Sequence, residues 1–276
     1  MRTPAENAQL ALLLEVAGTP KPGNVDRHRD HGDLRFEHFL AGAVGSLDGL
    51  ELAAGAGPMG EAFETAVEGM ADQRGGNTQF GCLLLLVPLV RAAASDALTP
   101  DGLRLICANS TVADAAGFYR AFEHVDVAVA EPPAEMEDLD VRRGADAVPT
   151  LEARGITLHD VMARSEGDGN AAEWVSGFPR VFREAEAILG DDGPATERGA
   201  RAFLRLLAEQ EDGFVRATSG PAAAREARER AQACLDGEED PEALAEEFVE
   251  RGINPGTTAD LTCGALFVAL ERGLPV

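Results

Sequence analysis

The side chains able to do chemistry in this chain gather at glycine- and proline-bearing turns. The first turn runs from Gly18 to Asp33, GTPKPGNVDRHRDHGD. Pro20 and Pro22 flank Lys21, so the stretch cannot lie mid-helix. It offers Lys21 and Arg27 as phosphate-pairing cations, with Asp26, Asp30, Asp33, His28 and His31 beside them. Such a set suits a magnesium-bridged polyphosphate: hard carboxylate oxygens hold the ion and the cations neutralise what remains. A solvated loop in an acidic protein would carry the same residues. Lys21 is the only lysine in a chain that otherwise uses arginine. A compact ammonium and a planar guanidinium are not interchangeable.

Further turns repeat the theme. Arg74-Gly75-Gly76-Asn77-Thr78 precedes the most apolar run of the chain. Its glycines let backbone N–H groups approach an anion, and a helix N-terminus favours negative charge; Asn77 or Thr78 could equally be an ordinary cap. Asn254 to Asp260 is a second turn feeding an apolar helix. There Thr257 and Asp260 form a capping box, or Asn254, Thr257 and Asp260 face a cleft. Asp212 and Arg216 are four apart, the spacing of a helical ion pair or of two site groups. Asp168 to Trp174 precedes Gly177-Phe178-Pro179, and Trp174, the only tryptophan, reads as core. Gly55 to Gly60 matches GxGxxG, but it follows a helical pattern and not a strand, so it reads as a helix–helix connection. The spacing predicts that Lys21, Asn77 and Asp260 converge on one cleft suited to a nucleotide polyphosphate with Mg²⁺.

The elements that must position these turns are helices. Phe36, Phe39, Leu40, Ala43, Val44 and Leu47 mark one helical face, and Met59, Phe63, Val67 and Met70 another. Phe203, Leu206 and Leu207, then Leu244, Phe248 and Val249, repeat the pattern. Leu83 to Val90 is apolar all round, as a central helix would be. Thr111 and Asp114 form a second capping box. Val125, Val127 and Val129 alternate without an obvious partner run, and alanine is abundant. The expectation is one all-α bundle domain over residues 1–276, of about ten to twelve helices, with an acidic, proline-containing linker at 131–149.

Composition narrows the function classes. The chain has 276 residues, of which 45% are apolar, so a sizeable core can form. Lys and Arg total 24 against 48 Asp and Glu, a net charge of −24. That argues against nucleic-acid binding and polybasic membrane binding, both of which draw on positive charge. Abundant acids with almost no lysine look like a halophilic protein, in which molar salt shrinks the Debye length to about 3 Å and screens self-repulsion. Cys82, Cys107, Cys234 and Cys263 form no CxxC pair and read as core residues of a cytoplasmic protein. No charged-then-apolar leader opens the sequence, and no apolar run approaches the roughly 18 residues of a membrane span.

TPKPG and VDR (residues 19–23 and 25–27), GNT (76–78), GFP (177–179) and NPGTTADL (254–261) together resemble the triphosphoribosyl-dephospho-CoA synthase family of the CitG/MdcB type. The resemblance runs from about Glu15 to Leu270. It departs at Gln79-Phe80, where the bacterial enzymes have His-Lys, and at Gly213-Phe214, after Asp212 of a DTN element. It implies an all-α transferase that moves the triphosphoribosyl group of ATP to the 2′-hydroxyl of 3′-dephospho-CoA, or a related acceptor, and releases adenine with Mg²⁺ present. Asp26, Asp33 and Asp260 are then catalytic carboxylates and His31 a proton donor. Asp26, Asp33, Asp212 and Asp260 are the metal-facing set. Lys21, Arg27, Asn77, Thr78, Arg216, Asn254 and Thr257 bind phosphate or ribose. The implied partners are ATP and a CoA-type acceptor, with a homo-oligomer left open. Two other readings use the same residues: a helical Mg²⁺-dependent nucleotide or ADP-ribose hydrolase, and a non-catalytic nucleotide-binding protein.

Overall fold

The run expected to form a central helix does so: Phe80–Ala94 is helical, and every residue from Cys82 to Val90 is buried. In the computed structural model, residues 2–129, 134–165 and 167–276 are described. They form sixteen α-helices and two short 3-10 segments. The first half holds α1 (Pro4–Ala17), α2 (Phe36–Gly45), α3 (Leu47–Ala54), α4 (Met59–Ala71), α5 (Phe80–Ala94), α6 (Pro100–Ala108) and α7 (Val112–Ala121). After the 3-10 segments Ala134–Leu139 and Val141–Ala147 come α8 (Val148–Arg154), α9 (Leu158–Arg164), α10 (Gly169–Ser176) and α11 (Pro179–Gly190). The last five are α12 (Ala195–Glu209), α13 (Gly213–Ser219), α14 (Pro221–Leu235), α15 (Pro241–Glu250) and α16 (Gly256–Glu271).

The helix count exceeds the expected ten to twelve because α8, α9 and α13 are only seven residues long. Such helices fall below the length at which an apolar stripe repeats often enough to read. Val125, Val127 and Val129 lie in irregular chain, and the described residues contain no strand. Of the expected linker, residues 131–133 lie outside the described residues. Within the stretch that follows, Leu139 is buried, its carbonyl accepts the Tyr119 hydroxyl at 2.6 Å, and Val141–Ala147 lies against α7.

Two helices without a polar face hold the bundle. α16 is buried throughout Leu261–Leu270 and packs on α1, α5, α11 and α12. α5 contains Pro88, which has no N–H to give to the carbonyl of Leu84 one turn earlier. The Trp174 indole fills that gap, its Nε1 donating to the Leu84 carbonyl at 3.0 Å. Trp174 is thus core, as expected, and it also fixes α10 to α5. A second cluster, with Phe203, Leu244 and Phe248, joins α12, α14 and α15. Val25 packs with Val16 and Phe39, pinning the Gly18–Asp33 loop to α1 and α2. Among the described residues no helix is long and apolar enough to cross a membrane.

Candidate active site

The N-termini of α5, α10, α13 and α16 meet at one end of the bundle, and Asp260 lies between them. Its Oδ2 accepts from Asn170 Nδ2 at 2.8 Å, and its Oδ1 accepts from Cys82 Sγ at 3.2 Å. A Cβ on residue 81 would collide with this carboxylate, so α5 comes this close only because Gly81 has none. Removal from water pushes the Asp260 carboxyl up to about 7; the bonds from Asn170 and Cys82 oppose the rise, while Asp212 and Glu15 add to it. A carboxyl in that range exchanges protons at neutral pH. The expected capping box is absent. α16 starts before Thr257, and Asp260 sits a turn inside the helix with its carboxylate reaching across to α5 and α10.

Asp212 does the capping instead. Its Oδ1 accepts the N–H groups of Phe214 and Val215 at 2.9 and 3.0 Å, and its Oδ2 accepts the N–H and hydroxyl of Thr258, each at 2.7 Å. One buried carboxylate therefore starts α13 and clasps the first turn of α16. Burial raises its pKa, and these bonds pull the other way. The Asp212–Arg216 ion pair does not form: Arg216 is exposed and pairs with Glu211. Beside Asp212 runs a groove lined by Gly167, Gly169, Arg180, Gln210 and Thr257. Arg180 spans it, bonded to Glu173 (2.8 Å), Gln210 (3.0 Å) and the Gly169 carbonyl (2.8 Å).

The Gly18–Asp33 loop is a different environment. Lys21 is fully buried; its ammonium donates to Glu15 and, at 3.1 Å, to Asn24, and it lies 5.9 Å from the centre of the Phe203 ring. Burial raises the Glu15 carboxyl and Lys21 pulls it back. Asn24 in turn donates to Asn254 at 3.0 Å, tying this loop to the start of α16. Asp26 is fully buried as well, accepting from Thr19 (2.8 Å), the His28 N–H (2.8 Å) and Arg29 (3.1 Å). Lys21 and Asp26 were expected to face a polyphosphate; in this structure their charges are spent inside the loop. Arg27 and Asp33 are exposed and make no ion pair with the described residues. His31 is half-buried, which lowers its pKa and favours the neutral ring over the protonated form a proton donor needs.

At the start of α5, Asn77 Oδ1 accepts the Phe80 N–H at 3.1 Å, an ordinary cap. The next two side chains are unusual. Thr78 Oγ1 and both polar ends of Gln79 are buried without a partner, as is Asn170 Oδ1. A Cβ on Gly42 of α2 would press on both Thr78 and Gln79. A buried polar group left unpaired costs about 1–3 kcal/mol, and Arg29 Nε, His31 Nδ1 and Arg205 Nη2 are in the same position elsewhere in the bundle. The turn bearing Lys21 is tied to that before α16 by the Asn24–Asn254 bond, and Gly81, just after the turn bearing Asn77, approaches Asp260, but the groove beside Asp212 is lined by none of Lys21, Asn77 and Asp260. These turns differ in what they leave available.

Sequence reasoning missed Cys82, Asn170, Gln79 and Arg180 as site residues. Cys82 is hidden in an apolar run and Arg180 simply follows the GFP motif, whereas Asn170 stood in a flagged turn. The four-carboxylate metal set is not assembled. Asp33 is on the surface, Asp26 and Asp212 are engaged, and among the described residues no three His, Cys, Asp or Glu side chains could hold a metal ion. The described residues therefore do not form a ready-made metal site.

Residues 1–275 match the family model described as CitG, ATP:dephospho-CoA triphosphoribosyl transferase. A crystal structure from Archaeoglobus fulgidus, assigned as a triphosphoribosyl-dephospho-CoA synthase, is similar to this chain at 26% identity and a TM-score of 0.69. The match covers 87% of this chain and 100% of that one. No curated protein matches.

Proposed function

This chain belongs to the CitG family, the ATP:dephospho-CoA triphosphoribosyl transferases, and on that premise we propose that the junction of α5, α10, α13 and α16 is its active site, with Asp260 as the base. The protein is a transferase that moves the triphosphoribosyl group of ATP to dephospho-CoA. The observation that carries the site assignment is the Asp260 carboxyl at about 7, held by Asn170 and Cys82 at the junction of four helix N-termini and without an ion-pair partner among the described residues. Helix N-termini favour phosphate, and Arg180 with Thr257 supplies a cation and a hydroxyl along the same groove.

In the step proposed, Asp260 takes the proton of the acceptor 2′-hydroxyl. The hydroxyl oxygen bonds to ribose C1′ while the C1′–N9 bond breaks, adenine leaves with the electron pair and is protonated by solvent, and Asp260 then releases the proton it took to solvent. The triphosphate stays on the product. Glycosyl transfer of this kind passes through an oxocarbenium-like state, in which a carboxylate base is the expected catalyst. Magnesium entering with ATP would neutralise phosphate charge. Supporting this location over the Gly18–Asp33 loop is the state of their charges: Lys21 and Asp26 are ion-paired with Glu15 and Arg29, whereas Asp260 has no ion-pair partner among the described residues.

Incubation with MgATP and 3′-dephospho-CoA in molar KCl, followed by chromatography, tests the reading. Adenine should appear together with a triphosphoribosylated acceptor and only when the acceptor is present. Adenine and free ribose triphosphate without acceptor would make the protein a hydrolase. Tight ATP binding without turnover would make it a binding protein. The working medium is molar salt inside a reducing cytoplasm, the reading that the −24 charge and four free cysteines support. Circular dichroism down a KCl series checks the first point; helical signal unchanged at low salt would remove it.

A further inference from the structure

Asp260 gives its carboxylate two side-chain donors, and neither is on its own helix. Cys82 is on α5 and Asn170 on α10, and each takes one oxygen, at 3.2 and 2.8 Å. A carboxylate gripped at both oxygens from two directions has its plane fixed. The two helices are themselves fixed to each other. Trp174 lies one helical turn after Asn170 on α10 and donates to the carbonyl of Leu84, two residues after Cys82 on α5. The carbonyl is open to it because Pro88 has no N–H. Cys263, on α16, is hydrogen-bonded to Cys82 as well, so the Cys82 thiol lies between Cys263 and the Asp260 carboxylate. Around Asp260 the other charged groups are Asp212 from α13 and the Glu15–Lys21 pair from α1 and the first loop.

We propose that Cys82 and Asn170 are positioning residues that clamp Asp260 for proton abstraction, and that the Trp174–Leu84 bond sets the spacing of the clamp. The proposal rests on Asp260 being the base. A thiol at residue 82 reads as a core residue from sequence, but the geometry gives its S–H a direction and an acceptor. Neither residue needs to touch the nucleotide, so substrate binding should survive their loss while turnover falls.

The test is steady-state kinetics of adenine release with MgATP and dephospho-CoA, on the full chain in molar KCl, with thermal unfolding alongside. Asn170→Ala should lower kcat by about 10- to 150-fold, the fold-change of one hydrogen bond to a charged group, with KM for ATP near wild type. Cys82→Ala should lower kcat by a smaller factor, about 3- to 10-fold, since a thiol is a weak donor. Cys82→Ser restores a donor in nearly the same volume and should recover most of that loss, which packing alone would not do. Wild-type kcat in both Asn170→Ala and Cys82→Ala would overturn the clamp. So would a kcat loss in Cys82→Ala that Cys82→Ser fails to recover. Asp260→Asn separates the two claims. If it is inactive while both clamp variants are normal, the base stands and the clamp fails; if it is fully active, the base assignment fails first.

Discussion

Lys21, fully buried, and Asp260, partly buried, each lie near a glycine-bearing turn, yet their surroundings are opposites. Lys21 has Glu15 and Asn24 on its ammonium, and Asp26 nearby has three donors on its carboxylate. Beside Asp260, among the described residues, only Asn170 Oδ1 is an unpartnered atom, and the carboxyl itself is held near 7; Thr78 Oγ1 and the Gln79 amide, also unpartnered, face Gly42 of α2. A buried charge that is paired and fully hydrogen-bonded is part of the scaffold. Buried polar atoms without partners carry a cost. The loop also keeps unpartnered buried atoms, Arg29 Nε and His31 Nδ1, so what separates the two regions is ion pairing: Lys21 and Asp26 each have a partner of opposite charge, and Asp260 has none among the described residues.

The comparison breaks most readily at Asp260. Asp260→Asn removes the base while keeping size and hydrogen-bonding ability, and adenine release should fall about 10²- to 10⁴-fold. Its melting temperature should hold or rise, because a carboxyl that resists ionising in the fold has been removed. Next in size is the loop. Lys21→Met leaves Glu15 buried and alone, and should cost about 3–5 kcal/mol of stability. Lys21→Met combined with Glu15→Leu should recover most of that loss. Turnover per folded molecule should change little in the double variant; a collapse of turnover in a well-folded double variant would move Lys21 into the site.

Two smaller effects sharpen the picture. Trp174→Phe leaves the Leu84 carbonyl without its donor and should cost about 1–3 kcal/mol by chemical denaturation. In a Pro88→Ala background residue 88 regains an N–H for that carbonyl, so the same substitution should cost less. Equal costs in the two backgrounds would show that the indole merely fills space. Gln79→Met removes an unpaired buried amide at similar volume, and stability should be unchanged or higher by up to about 2 kcal/mol. If Gln79 serves the site, turnover falls in the same variant; stability lost with turnover intact would make the amide structural.

Much of the scaffold was legible because its signals are local. The stripe Met59, Phe63, Val67, Met70 is buried as its spacing dictates, and Thr111 with Asp114 makes the expected capping box. GxGxxG at Gly55–Gly60 is the α3–α4 connection. The site was legible only as a set of turns. Which atoms are open depends on partners far away in sequence: Asn24 with Asn254, Asn170 with Asp260, Cys82 with Asp260. Residue type alone pointed to Lys21 and Asp26, since a lone lysine between prolines looks exposed. Burial of Lys21 against Glu15 is a tertiary event that no local pattern records. Thr257 and Asp260 fit a capping-box spacing, yet α16 starts two residues too early for it, and Asp212, the cap of another helix, takes the role.

The pH dependence of adenine release addresses Asp260 as base most directly. Its folded-state carboxyl lies near 7 and its unfolded one near about 3.9, so two opposite trends share one group. Between these values the folded form binds more protons, and the Asp260 contribution to stability falls as pH rises from about 4 through 7. Activity needs the ionised form and should do the reverse. In molar KCl, with saturating Mg²⁺, kcat for adenine release should rise about tenfold per pH unit below 7 and level off above it. A wild-type profile flat from about pH 5 to 9 would contradict Asp260 as the base.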